Sequence, residues 1–119
     1  MPFFSIIRGA EQQGPPPQAI MDVMDQYVAR ALKEGIMVST GGLAPSAAGA
    51  RVRIQKGRMH VTDGPFAESK EVVGGYAVLA ARTREEAIRA AREFMQIHID
   101  HWPGWEGECE LRELVFLAP

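Results

Sequence analysis

An α+β sandwich is the fold class this sequence predicts, on three observations. Two amphipathic helical stretches lie far apart, each between strand-like runs; apolar residues elsewhere alternate with the period of two that strands require; and the elements run β-α-β-hairpin-β-α-β. That order fits a ferredoxin-like split βαβ sheet with both helices on one face and a β-hairpin inserted between its halves. No third helix is left for the sheet's other face. A second subunit packing sheet to sheet is therefore expected to cover it, making a homodimer.

Each element has a local reason. Phe3 to Arg8 is a short β-rich run closed by Gly9. After the Gly-Pro-rich GAEQQGPPP, Pro17 suits the first turn of a helix, and Ile20, Met24, Tyr27, Val28, Ala31 and Leu32 repeat at helical spacing up to Gly35, a C′ residue. Ile36 to Leu43 reads as a strand broken by Gly41-Gly42. RVRIQ (51–55) and RMHVT (58–62) alternate about a Lys56-Gly57 turn, predicting a hairpin with one face in the core. Val72 to Ala81 is apolar nearly throughout, as in a central strand covered on both faces. Thr83 and Glu86 match a capping box opening a helix whose buried side holds Ala87, Ile88, Ala91, Phe94 and Met95. Pro103-Gly104 stops it, and Glu108 to Leu117 alternates as a last strand with Cys109, Leu111 and Leu114 inward.

The 119 residues fit one domain over 1–119, with 46% hydrophobic and 24% charged residues, ordinary for a soluble globular chain. A formal charge of −2 gives no field to gather nucleic acid or anionic membrane, so neither is an expected partner. The arginine groups 51–58 and 82–92 read as solvated faces. One cysteine, Cys109, excludes an internal disulfide and a multi-cysteine metal site. MPFFSIIRG lacks the features of a signal peptide and no apolar run reaches membrane-span length, so the expected location is the cytoplasm. There is no dinucleotide, P-loop or G-x-S-x-G motif, and no cofactor is expected.

The segment DGPFAESKE, residues 63–71, is longer than a strand connection requires. Turn chemistry accounts for part of it: Asp63 suits an Asx turn, Gly64 a special backbone angle, Pro65 a fixed φ, and Phe66 an anchoring ring, with Glu68, Lys70 and Glu71 as surface charges. The other reading is a site. A stiffened loop brings Asp63, Glu68 and Glu71 together, so that one carboxylate works as an acid or base with His60 or Glu68 assisting, or Lys70 holds an anion. Tandem glycines Gly74-Gly75 before Tyr76 weaken a strand unless something approaches closely, and a facing subunit is the simplest occupant. His98 and His101 would share a helix face, but no third metal ligand is evident and no metal is expected; Trp102 and Trp105 read as a seal over a helix–sheet corner or a dimer rim.

DGPFAESKEVVGGY, the following helix with its EEA start and the closing CELREL fall in an order that resembles the DGPF-domain branch of the YCII-related superfamily over nearly the whole chain. The resemblance implies a small bacterial ferredoxin-like domain that dimerises into an α+β barrel, in some members beside extracytoplasmic-function sigma factors, so a sigma-factor-related protein is an implied partner. Related YCII proteins have a proposed His–Asp pair with the histidine on the first helix; this sequence has no histidine between Pro17 and Glu34. The functional expectation is a homodimeric module binding a small molecule or a regulatory partner in an inter-sheet cleft edged by Asp63 to Glu71. The alternatives are an acid–base enzyme acting through Asp63 on a small organic substrate, and a scaffold dimer without a pocket.

Overall fold

The computed structural model describes residues 2–11, 13–66 and 71–115. Its elements run β1 (Phe3–Gly9), α1 (Gln18–Glu34), β2 (Met37–Gly42), β3 (Ala50–Gln55), β4 (Arg58–Asp63), β5 (Val72–Leu79), α2 (Arg84–His101) and β6 (Gly107–Glu113), with a 3-10 turn at Ser46–Ala48. Four strands form an antiparallel sheet in the order β2-β5-β1-β6, and β3 and β4 form a separate two-stranded ribbon. Each helix thus connects two strands separated by one neighbour, which is the split βαβ arrangement of a ferredoxin-like α+β fold.

The helix ends follow their sequence signals. Gly35 takes φ 84° and returns its N–H to Ala31 and Leu32, the left-handed stop that glycine adopts without a Cβ penalty. Thr83 Oγ1 accepts from the Glu86 N–H at 3.1 Å, and Glu85 and Glu86 place negative charge at the positive end of α2.

The core lies between the helices and one sheet face. Phe3, Met37, Ala77 and Leu79 from the sheet meet Tyr27, Ala31, Ala87 and Ala90 from the helices. Strand alternation puts Phe4, Ile6, Tyr76 and Val78 on the opposite face, outside this cluster and only half-buried. β5 is central in the sheet as expected, but helices cover only one of its faces.

The hairpin departs further from expectation. Its turn forms at Lys56-Gly57 with φ 52° and 73°, the two positive values a type I′ turn demands. Neither face of the ribbon is in the core: every residue of β3 and β4 except Arg51 is exposed. The alternation RVRIQ/RMHVT is real, but its apolar side faces outward from this chain. Cα atoms extend over 45 × 35 × 21 Å, with a radius of gyration of 15.8 Å against about 13.5 Å for a compact chain of this length.

Candidate functional site

The segment that leaves β4 is pinned onto the Ser46–Ala48 turn. The Gly64 N–H donates to the Gly49 carbonyl at 2.8 Å, and the Phe66 N–H donates to Ser46 Oγ at 3.0 Å. A Cβ on Gly64 would lie 1.6 Å from the Ser46 carbonyl oxygen, so no other residue fits there. The Gly64–Pro65 peptide is cis. The Phe66 ring lies under the Arg51 guanidinium, 3.8 Å from its carbon to the ring centre.

Buried Ser46 is held from the other side by Glu11, whose carboxylate accepts from both the Ser46 hydroxyl and the Ser46 N–H. These two donors, the hydroxyl foremost, hold the Glu11 carboxyl below its ordinary range. Glu11 was not singled out from the sequence, because its partner is 35 residues away across a proline-rich connection. A cleft of about 560 Å³ opens beside this knot, bordered by Arg8, Ser46, Arg51, Phe66, Glu71 and Val73.

Asp63 ends β4 opposite Ala50 and is exposed. His60 pairs with Arg53 on the ribbon's polar face, whereas Asp63 is three residues on and therefore on the other face. The strand thus separates these two side chains instead of converging them. Glu68 and Lys70 lie outside the described residues, and Glu71, just before β5, is exposed.

Of the tandem glycines, Gly75 is the crowded one: a Cβ would come 3.1 Å from the Gly41 carbonyl of β2, while Gly74 has nothing within 4 Å. The close approach at Gly75 is thus made by the same chain. Tyr76 stacks on Phe4 with ring centres 5.6 Å apart on the outer face.

A larger cavity, about 730 Å³, lies between the helices and the sheet. Ile20, Met24, Met37, Phe94, His98 and Trp102 form much of its wall, and Gly42 and Gly74 leave open space at its edge. Its hydroxyls are already engaged. Tyr27 donates to the Ala90 carbonyl, Thr40 donates to the Tyr76 carbonyl, and Ser5 shares a hydrogen bond with Cys109 Sγ.

His98 differs. It is 8% exposed, within an aromatic cage of Phe94, Trp102 and Trp105, the last with ring centres 4.4 Å away. Its Nδ1 lies 3.1 Å from the Phe94 carbonyl. A carbonyl only accepts, so Nδ1 carries the proton and Nε2 of the neutral ring keeps a lone pair. Burial pushes the imidazole below the usual histidine range, partly opposed by the Phe94 hydrogen bond. Nε2 has no hydrogen-bond partner among the described residues, yet none of their buried side-chain nitrogens or oxygens is unsatisfied, so this atom is reachable by solvent.

The sequence showed His98 as half of an HxxH pair. The more informative signal was its spacing of four from Phe94, which places it on the apolar stripe of α2. Among the described residues no group of three or more His, Cys, Asp or Glu could hold a metal. Trp105 does seal a corner: its ring occupies the space over Gly107, where a Cβ would meet it at 2.2 Å.

Fold and cavities together define an α+β, ferredoxin-like protein with an apolar chamber beneath its helices and a cleft of mixed lining at the base of the ribbon. The YCII-related domain family model matches residues 1–99, and the chain belongs to that family. It is also 32% identical over 77 residues to an uncharacterised protein of Rhizobium meliloti (strain 1021), a match covering 65% of this chain and 58% of that protein's length. No helix among the described residues is long and apolar enough to cross a membrane.

Proposed function

We propose that this protein is a homodimeric small-molecule-binding module whose chamber takes a largely apolar ligand carrying one hydroxyl or N–H donor. The observation that carries the reading is the 730 Å³ apolar chamber whose two buried hydroxyls, of Tyr27 and Ser5, are engaged while His98 Nε2 retains an acceptor site. Its volume falls in the range of small-molecule pockets, and such pockets combine apolar walls with few orienting polar groups. Dimerisation is supported by the outer sheet face, where Phe4, Ile6, Tyr76 and Val78 have no helix over them. A sigma-factor-related partner would read the occupied state; its support is the sequence resemblance.

The acid–base alternative through Asp63 gains nothing from the strand geometry, which puts His60 on the opposite face. A scaffold without a pocket sits poorly with the chamber.

The test uses para-ethylphenol and its donor-free analogue para-ethyltoluene, titrated into uniformly labelled protein and followed by NMR. Saturable shifts at His98, Phe94 and Met24, with the phenol binding at least tenfold more tightly, are expected. His98→Phe should abolish that preference while the two ligands still bind. Absence of saturable shifts at the chamber walls with either compound refutes the reading.

A further inference from the structure

The ribbon β3–β4 carries apolar side chains that its own chain leaves uncovered. Val52 pairs with Val61 and Ile54 with Met59 on one face, and the four side chains are 66%, 67%, 73% and 69% exposed, respectively. The pairs Arg51–Thr62, Arg53–His60 and Gln55–Arg58 form the other face. We propose that the ribbon is an arm that lays its Val52–Ile54–Met59–Val61 face on the outer sheet face of a second copy of this chain. The proposal rests on the homodimer part of the reading above and adds which surfaces meet.

An isolated two-stranded hairpin is marginal in water, so a ribbon with a continuous apolar face calls for a surface to lie on. The ribbon is a sheet of its own, contributes no residue to the core cluster and belongs to a molecule elongated to 45 Å, as a projecting element does. The receiving surface exists on the same molecule. Phe4, Ile6, Tyr76 and Val78 make a half-exposed apolar strip, flanked by the Arg8–Glu110–Arg112 ion pairs.

The dimensions agree. Four strands span about 19 Å, matched by an arm of about 20 Å. An arm two strands wide covers about 200 Å², half of a sheet face of about 400 Å², so each chain gives about 200 Å² of arm and about 200 Å² of strip when both contacts form. Each chain offers both the arm and the strip, so one two-fold operation satisfies both contacts at once.

Two measurements test this. Sedimentation analysis of the full chain is expected to show a dimer. Ile54→Lys with Met59→Lys should raise its dissociation constant at least 100-fold while far-UV circular dichroism stays unchanged, since both positions are exposed in the monomer. In the second, a nitroxide is attached at Arg58→Cys in a Cys109→Ser background and mixed with unlabelled-cysteine, isotope-labelled protein. Selective broadening of Phe4, Ile6, Tyr76 and Val78 in the labelled partner is expected. A dimer that survives the double variant, or broadening that misses this strip, overturns the arm while leaving dimerisation intact. A monomeric wild-type chain at micromolar concentration overturns both. The chamber titration is unaffected in either case, because its walls come from one chain.

Discussion

Gly64 and Gly74, ten residues apart in this chain, have opposite tolerance at the level of single atoms. Gly64→Ala forces a methyl group into the Ser46 carbonyl, and should cost at least about 2 kcal/mol in urea unfolding because the knot at Ser46 must open. Gly75→Ala meets the Gly41 carbonyl at 3.1 Å and should destabilise more than Gly74→Ala, which meets nothing and should stay within about 0.5 kcal/mol. His98 has a pH signature. Its folded form favours the neutral ring, so its contribution is complete above the unfolded value near 6.5 and declines as pH falls through and below it. Phe94, Trp102 and Trp105 surround it without charge, so no neighbouring ion pair offsets the loss. Urea midpoints should therefore drop between about pH 7 and pH 5 in the wild type and flatten over that window in His98→Phe. Glu11 and Glu110, whose carboxyls are held low by Ser46 and by Arg8 with Arg112, act in a separate window, losing their contribution as pH falls below 4.5.

At the scale of elements, the start of α2 is the clearest single dependency. Thr83→Ala removes the acceptor for the Glu86 N–H and should cost about 1 kcal/mol in chemical denaturation, with faster amide exchange confined to the first turn. Both helices, their stops and the Lys56-Gly57 turn were legible in the sequence, because periodicity, capping and positive φ are local properties. The burial of the hairpin was not. Alternation records that one side of a ribbon is apolar and is silent about which molecule covers it, so RVRIQ and RMHVT read as core when they are exposed here. The candidate site was harder still. The Asp63–Phe66 turn was visible as turn chemistry, but its anchor, Glu11 on Ser46, depends on a contact 35 residues away. His98 drew notice through its spacing to His101, whereas its setting comes from Trp105 reaching back across Gly107.

For the whole molecule, the separation of chamber and arm makes ligand binding and association distinct properties. Saturating the chamber with para-ethylphenol at about 100 times its dissociation constant should add about 2.7 kcal/mol to stability, read as an upward shift in thermal midpoint, in the wild type and the Ile54→Lys/Met59→Lys variant alike. The split βαβ order explains why both can coexist. The helices cover one sheet face and leave a chamber beneath them, while the connection from β2 to β5 carries the inserted ribbon outside that layer.

The ribbon's two rims also bear on colloidal behaviour. A free-edged, greasy β segment is the usual seed for unlimited strand-on-strand stacking. Arg51, Arg53, Lys56 and Arg58 crowd cationic charge along this one, so stacking two ribbons side by side brings like charges together. That repulsion is short-ranged and fades as salt rises. Concentrated brine should consequently be the condition in which the protein first turns cloudy, and low-salt buffer the one in which it stores clear.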